Sequence, residues 1–207
     1  MPATLSREGP PSAPTPTRVR VRFWTWLRRR PDTARYGLPL LGLLLALPLL
    51  LLRTSGDGLG FVLLFAALLL GAAGRALGRE WAAVRAHCAR GTLAPALVVS
   101  DRPALIAVLG SLDLGGDDPT PAVKILPLPR GLGLATGDRL AAVSVPRGAD
   151  FLPLALPAVT SDPRALQDAL RRVTEGGDGV DVWAYLERRL AHLPHPYRPG
   201  LYRVNIE

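Results

Sequence analysis

Residues 91–156 read GTLAPALVVSDRPALIAVLGSLDLGGDDPTPAVKILPLPRGLGLATGDRLAAVSVPRGADFLPLAL, and the grain of this stretch decides the fold. Short apolar runs at 96–100, 104–109, 122–128, 139–145 and 151–156 alternate with turn signals. These signals are Asp101-Arg102-Pro103, residues 115–119, residues 131–138 and Arg147-Gly148. Val- and Ile-bearing runs bounded by Gly, Pro and Asp are strand signals. Four or five short strands at this spacing predict a small, mostly antiparallel β-sheet or a partly open barrel. Pro127 and Pro129 set the third strand at an edge or end it early, because proline has no N–H for the ladder.

Two helices are expected after the sheet. Ser161 or Asp162 is placed to cap a helix over 163–173 that carries Leu166, Leu170 and Val173 on one face. Gly176-Gly177 stops it. Asp181 opens a second helix, whose Val182, Trp183, Leu186 and Leu190 form an apolar stripe that Pro194 ends. The tail from His195 is too Pro-rich for a helix and is expected to lie extended against the module. Residues 91–207 therefore form one β-rich domain with C-terminal helices.

Upstream, the composition changes. Residues 36–52 (YGLPLLGLLLALPLLLL) and 59–74 (LGFVLLFAALLLGAAG) are free of charge and flank a turn-like RTSGDG. At ~1.5 Å per residue each run reaches ~24–26 Å of a ~30 Å hydrocarbon core. Snorkelling by Arg53 and Arg75 extends that reach. The expected fold class is thus α+β: a two-helix transmembrane hairpin over 36–74, a juxtamembrane helix over 75–90, then the β-rich domain. Gly42/Ala46 and Ala67/Gly71 are small-xxx-small pairs that permit close helix approach.

Charge placement sets the expected location. The net charge is +8. Residues 1–36 carry eight arginines against Glu8 and Asp32, whereas 91–207 carry eleven arginines and Lys124 against thirteen acids. The excess flanks the apolar runs, and a nearly neutral module lacks the basic footprint of a nucleic-acid-binding domain. By the positive-inside rule both termini face the cytoplasm, giving a two-span inner-membrane protein. Residues 1–17 are read as a disordered Pro-rich arm within a 1–35 segment. The RVRVRFWTWLRRR run that follows is read as an interfacial segment. Its membrane-surface contacts are Arg18, Arg20, Arg22, Trp24, Trp26, Arg28, Arg29 and Arg30.

Residues 86–109 (AHCARGTLAPALVVSDRPALIAVL), PAVKILPLPR, GDRLAAVSVPRG and PYRPGLYRV resemble an uncharacterised bacterial domain-of-unknown-function family over about 86–204. The resemblance implies one module across that range, with no activity, cofactor or catalytic residue to carry over.

No chemical constellation emerges. One cysteine excludes an intramolecular disulfide and a cysteine cage for metal. His192 and His195 straddle Pro194, Cys88 lies on an apolar helical face, and the acids at 113–118 lack a calcium-loop pattern. No catalytic, cofactor-binding or metal residue is assigned, no cofactor is expected, and the chain is read as non-enzymatic. The function expected is a membrane-anchored interaction module, bound to membrane lipids and to a protein partner or a second copy. No nucleic acid and no small-molecule substrate is expected. Two alternatives stand beside it. One is a membrane-bound hydrolase or transferase with a site drawn from scattered Asp, Ser and His such as Asp101, Asp113, Asp138 and His192. The other is a lipid-surface sensor acting through the basic arm.

Overall fold

The computed structural model describes residues 19–29, 42, 59–112, 120–129, 131–176 and 181–203. The order of elements is α1 (Phe23–Arg28), α2 (Leu59–Arg90), β1 (Thr92–Asp101), β2 (Ala104–Leu112), β3 (Thr120–Pro127), β4 (Arg139–Arg147) and β5 (Asp150–Ala155). A 3-10 turn (Leu156–Ala158), α3 (Pro163–Glu175), α4 (Val182–Ala191) and β6 (Gly200–Tyr202) complete it. The strands form one antiparallel sheet in the order β5-β4-β1-β2-β3-β6, curled into a half-barrel. A register shift between Val98 and Ser100 in β1 adds local twist to the curl.

Both faces of the sheet are covered, which is why its strands read as unbroken apolar runs rather than strict alternations. The concave face gathers Ala94, Ala96, Val98, Ile106, Val108 and Phe151, among others. Small residues dominate there because curling leaves little room. Gly110 on β2 is required by the Phe151 ring on β5: a Cβ would stand 2.7 Å from it. The convex face meets α3 and α4. Asp162 caps α3 by accepting from Arg164 N at 3.1 Å, and Asp181 caps α4 by accepting from Trp183 N and Ala184 N. Val182, Trp183, Leu186 and Leu190 are all buried, as an apolar stripe requires. The Pro-rich tail contributes β6, which pairs with β3 through Leu201↔Lys124.

Lys124 stands alone as the chain's lysine, in an otherwise apolar strand. Its Nζ donates to Asp150 Oδ1 and Oδ2 at 2.9 and 2.7 Å and to the Phe151 carbonyl at 2.8 Å. It therefore ties β3 to β5 across the open side of the half-barrel, between strands that share no ladder.

The two-span hairpin is corrected by the structure. Among the described residues no helix is long and apolar enough to cross a membrane. The run at 59–74 does not end at Gly74. It is the first half of the 32-residue helix α2, which continues through Arg75, Arg79, Glu80 and Arg85 and docks its last turns on the sheet. Sixteen apolar residues give a helix only ~24 Å of reach against a ~30 Å core. The transmembrane fold class, the membrane keywords and the two-span inner-membrane location with cytoplasmic termini fall with it. The turn at 53–58 and the arm at 1–17 lie outside the described residues, as do the run at 36–52 and the Gly42/Ala46 pair apart from Gly42.

Candidate interaction surface

The site is built where residues 19–29 fold back against α2. Arg22 N donates to Val159 O at 2.9 Å, pinning the extended stretch beside the 3-10 turn. Phe23 then meets the Trp81 ring edge-on at 5.4 Å, and Trp26 lies 5.4 Å from the same ring. Trp26 is 6% exposed and belongs to the core cluster that holds Cys88, Val143 and Trp183. Trp24, two residues earlier, is 69% exposed. Arg29 Nη1 donates to Thr160 O at 3.2 Å, and burial holds its guanidinium below its ordinary pKa.

The eight residues expected at a membrane surface therefore part company. Arg20, Arg22, Trp24 and Arg28 face solvent, Trp26 faces the core, Arg29 is half-buried, and Arg18 and Arg30 lie outside the described residues. The sequence does not disclose that Trp81 is the partner of the FWTW segment, because the two are more than fifty residues apart.

Along α2 the surroundings change from one end to the other. Leu77, Trp81, Val84 and Cys88 pack into the domain. Between 59 and 76 Ala66 is buried but belongs to none of the three core clusters, and Leu64, Phe65, Leu68 and Leu70 are 50–64% exposed. Gly60, Ala67, Gly71, Gly74 and Gly78 recur at steps of seven, four, three and four, so they share one stripe. A Cβ at any of these four glycines would meet nothing within 4 Å.

The last turns of α2 and the stretch 19–21 border an open cleft of about 690 Å³. Val19 and Val21 line it on one side and Ala82, Ala86, Cys88 and Ala89 on the other. Arg20 and Arg85 line it from opposite sides. The described parts of the arm and α2 hold Arg20, Arg22, Arg28, Arg29, Arg75, Arg79, Arg85 and Arg90 against a single acid, Glu80. A second cleft of about 280 Å³ lies between β1 and α4, lined by Leu97, Thr136, Glu187 and Tyr197 among others.

The residues that could carry chemistry are occupied or dispersed. Cys88 is 3% exposed, and burial pushes its thiol up to about 11, so it is protonated at neutral pH. His87 Nε2 lies 3.1 Å from Val143 O. Asp138 Oδ2 accepts from Ala135 N at 2.7 Å and closes its own turn. Asp101 and His192 are exposed, and neither is hydrogen-bonded to Asp138 among the described residues. Asp113 lies outside the described residues. No described group of three or more His, Cys, Asp or Glu gathers at metal-binding range.

The fold and the surface together define an α+β half-barrel module with a long projecting helix. Compared with family models, curated proteins and solved structures, the chain finds no match.

Proposed function

We propose that this chain is a non-enzymatic interaction module that associates with a second copy of itself along α2. The observation that carries this reading is the cluster of Leu64, Phe65, Leu68 and Leu70, exposed on the half of α2 that leaves the sheet. Contiguous apolar surface on a folded protein marks a place another surface covers.

The glycine stripe supports a helix as that surface. Gly60, Gly71, Gly74 and Gly78 each cost α2 roughly 0.8–1 kcal/mol relative to alanine. Among the described residues nothing uses the space they leave. A neighbouring helix does, because small residues let two backbones approach closely. Leu64 and Leu68 flank the stripe and would pack across it.

The test is the mass of the full chain by light scattering across a concentration series. A dimer is expected, with Gly71→Leu and Gly74→Leu reducing it to monomer while leaving the melting temperature of the fold unchanged or higher. A monomer at every concentration, or leucine variants that dimerise as the wild type does, would overturn the reading. A monomer that co-sediments with anionic but not neutral vesicles would overturn it in favour of a lipid surface, where exposed Trp24 and Arg28 belong.

A further inference from the structure

We infer that the cleft between residues 19–21 and the C-terminal turns of α2 is a binding site for one anionic amphiphile. Its carboxylate or phosphate head would lie between Arg20 and Arg85, and its apolar body along Val19, Val21, Ala82 and Ala86. This goes beyond self-association, which uses the other end of the helix.

Three features of the cleft converge on that chemistry. Its volume, about 690 Å³, lies within the range of small-ligand sites. Most of its lining residues are valines and alanines, whose methyl and isopropyl groups an inorganic anion would leave without a contact and an acyl chain satisfies by losing water. Its two guanidiniums come from separate elements, one from the arm and one from α2, and neither takes part in an ion pair among the described residues. An apolar-walled cleft lined by one sign of charge focuses its field on a counter-ion. The neighbouring arginines Arg22 and Arg90 add to that field, and among the described residues of the arm and α2 Glu80 is the only acid to oppose it. A neutral amphiphile would leave both arginines unanswered, and a cationic one would be repelled.

The space exists because of the side chains chosen on α2. Ala82, Ala86 and Ala89 are the smallest residues that keep helix propensity. Larger apolar residues there would fill the cleft and pack the arm directly on the helix. Ala86→Leu is therefore a second way of closing the site, independent of charge.

Calorimetric titration of the full chain with lauric acid, lauryl alcohol and lauryltrimethylammonium, each below its micelle concentration, tests the proposal. Laurate is expected to bind one site and the other two not to bind. Arg20→Ala and Arg85→Ala should each weaken laurate about tenfold or more, as loss of a charge-assisted hydrogen bond does. Ala86→Leu should abolish binding, and Arg147→Ala, on β4, should not change it. Occupancy should also slow alkylation of Cys88, the chain's only thiol, which lines the cleft.

Phosphatidylglycerol vesicles that displace laurate identify a bilayer lipid as the natural source. Vesicles that do not displace it identify a free acid. Equal binding of the alcohol, unchanged affinity in both arginine variants, or no laurate binding would overturn the site. Leu64→Glu with Leu68→Glu separates the two proposals, since it removes self-association and should leave laurate affinity intact.

Discussion

Lys124 and Asp150 show how much one residue pair does in a curled sheet. The Lys124 hydrogen bond holds the Asp150 carboxyl below its usual pKa, with a smaller contribution from the Phe151 N–H. A carboxyl depressed in the folded state stabilises above its unfolded pKa of about 3.9 and loses that contribution as pH falls through the folded value. Melting temperature measured from pH 7 to pH 3 should therefore drop more steeply below about pH 4 in the wild type than in Asp150→Asn. The two curves should converge at the acid end, and parallel curves would contradict the assignment. Gly110 is the other single-residue constraint. Gly110→Ala should destabilise by about 1–3 kcal/mol through overpacking against Phe151, read as a lower denaturant midpoint. The solitary lysine was visible in the sequence, but its partner was not: Lys124 and Asp150 are joined only because the sheet bends.

At the scale of elements, the strands and caps were the legible part. Asp162, one of the two candidates with Ser161, and Asp181 cap the two helices ahead of their apolar stripes, and the five strand runs begin within a few residues of β1 to β5. Local chemistry sets such features, so local sequence reports them. The arm was less legible for a physical reason. Trp24 and Trp26 sit in the same Arg-rich run, and both read as headgroup residues until Trp81 supplies a face for one of them. The structure separates the pair by burial, and their substitutions should separate likewise. Trp26→Ala should cost about 3–5 kcal/mol in chemical denaturation, whereas Trp24→Ala should stay within about 0.5 kcal/mol. Similar losses for both would mean that the arm is not packed on α2. The sixth strand was hidden as well. β6 is three residues long inside a Pro-rich tail, and only its pairing with β3 makes it a strand.

For the whole molecule, the error about α2 and the charge distribution share one origin. Sequence hydropathy weighs the apolar run at 59–74 by itself, while the folded chain joins it to a charged second half that packs on the sheet. One helix thus carries an apolar, glycine-striped end and an arginine-bearing end. These two ends imply opposite responses to salt. In a dimer along α2, Arg75 and Arg79 of both copies are brought together, with Glu80 the one acid among the described residues of that helix, and their repulsion opposes association. The Debye length falls from ~14 Å at ~0.05 M salt to ~4 Å at ~0.5 M, so repulsion weakens and the dimer should tighten as salt rises. Anion capture between Arg20 and Arg85 is attractive and should weaken over the same range. Sedimentation velocity and laurate titration run in parallel on the full chain should therefore show trends of opposite sign. A dimer that dissociates with salt would show that charge pairing, and not the apolar stripe of α2, holds the copies together.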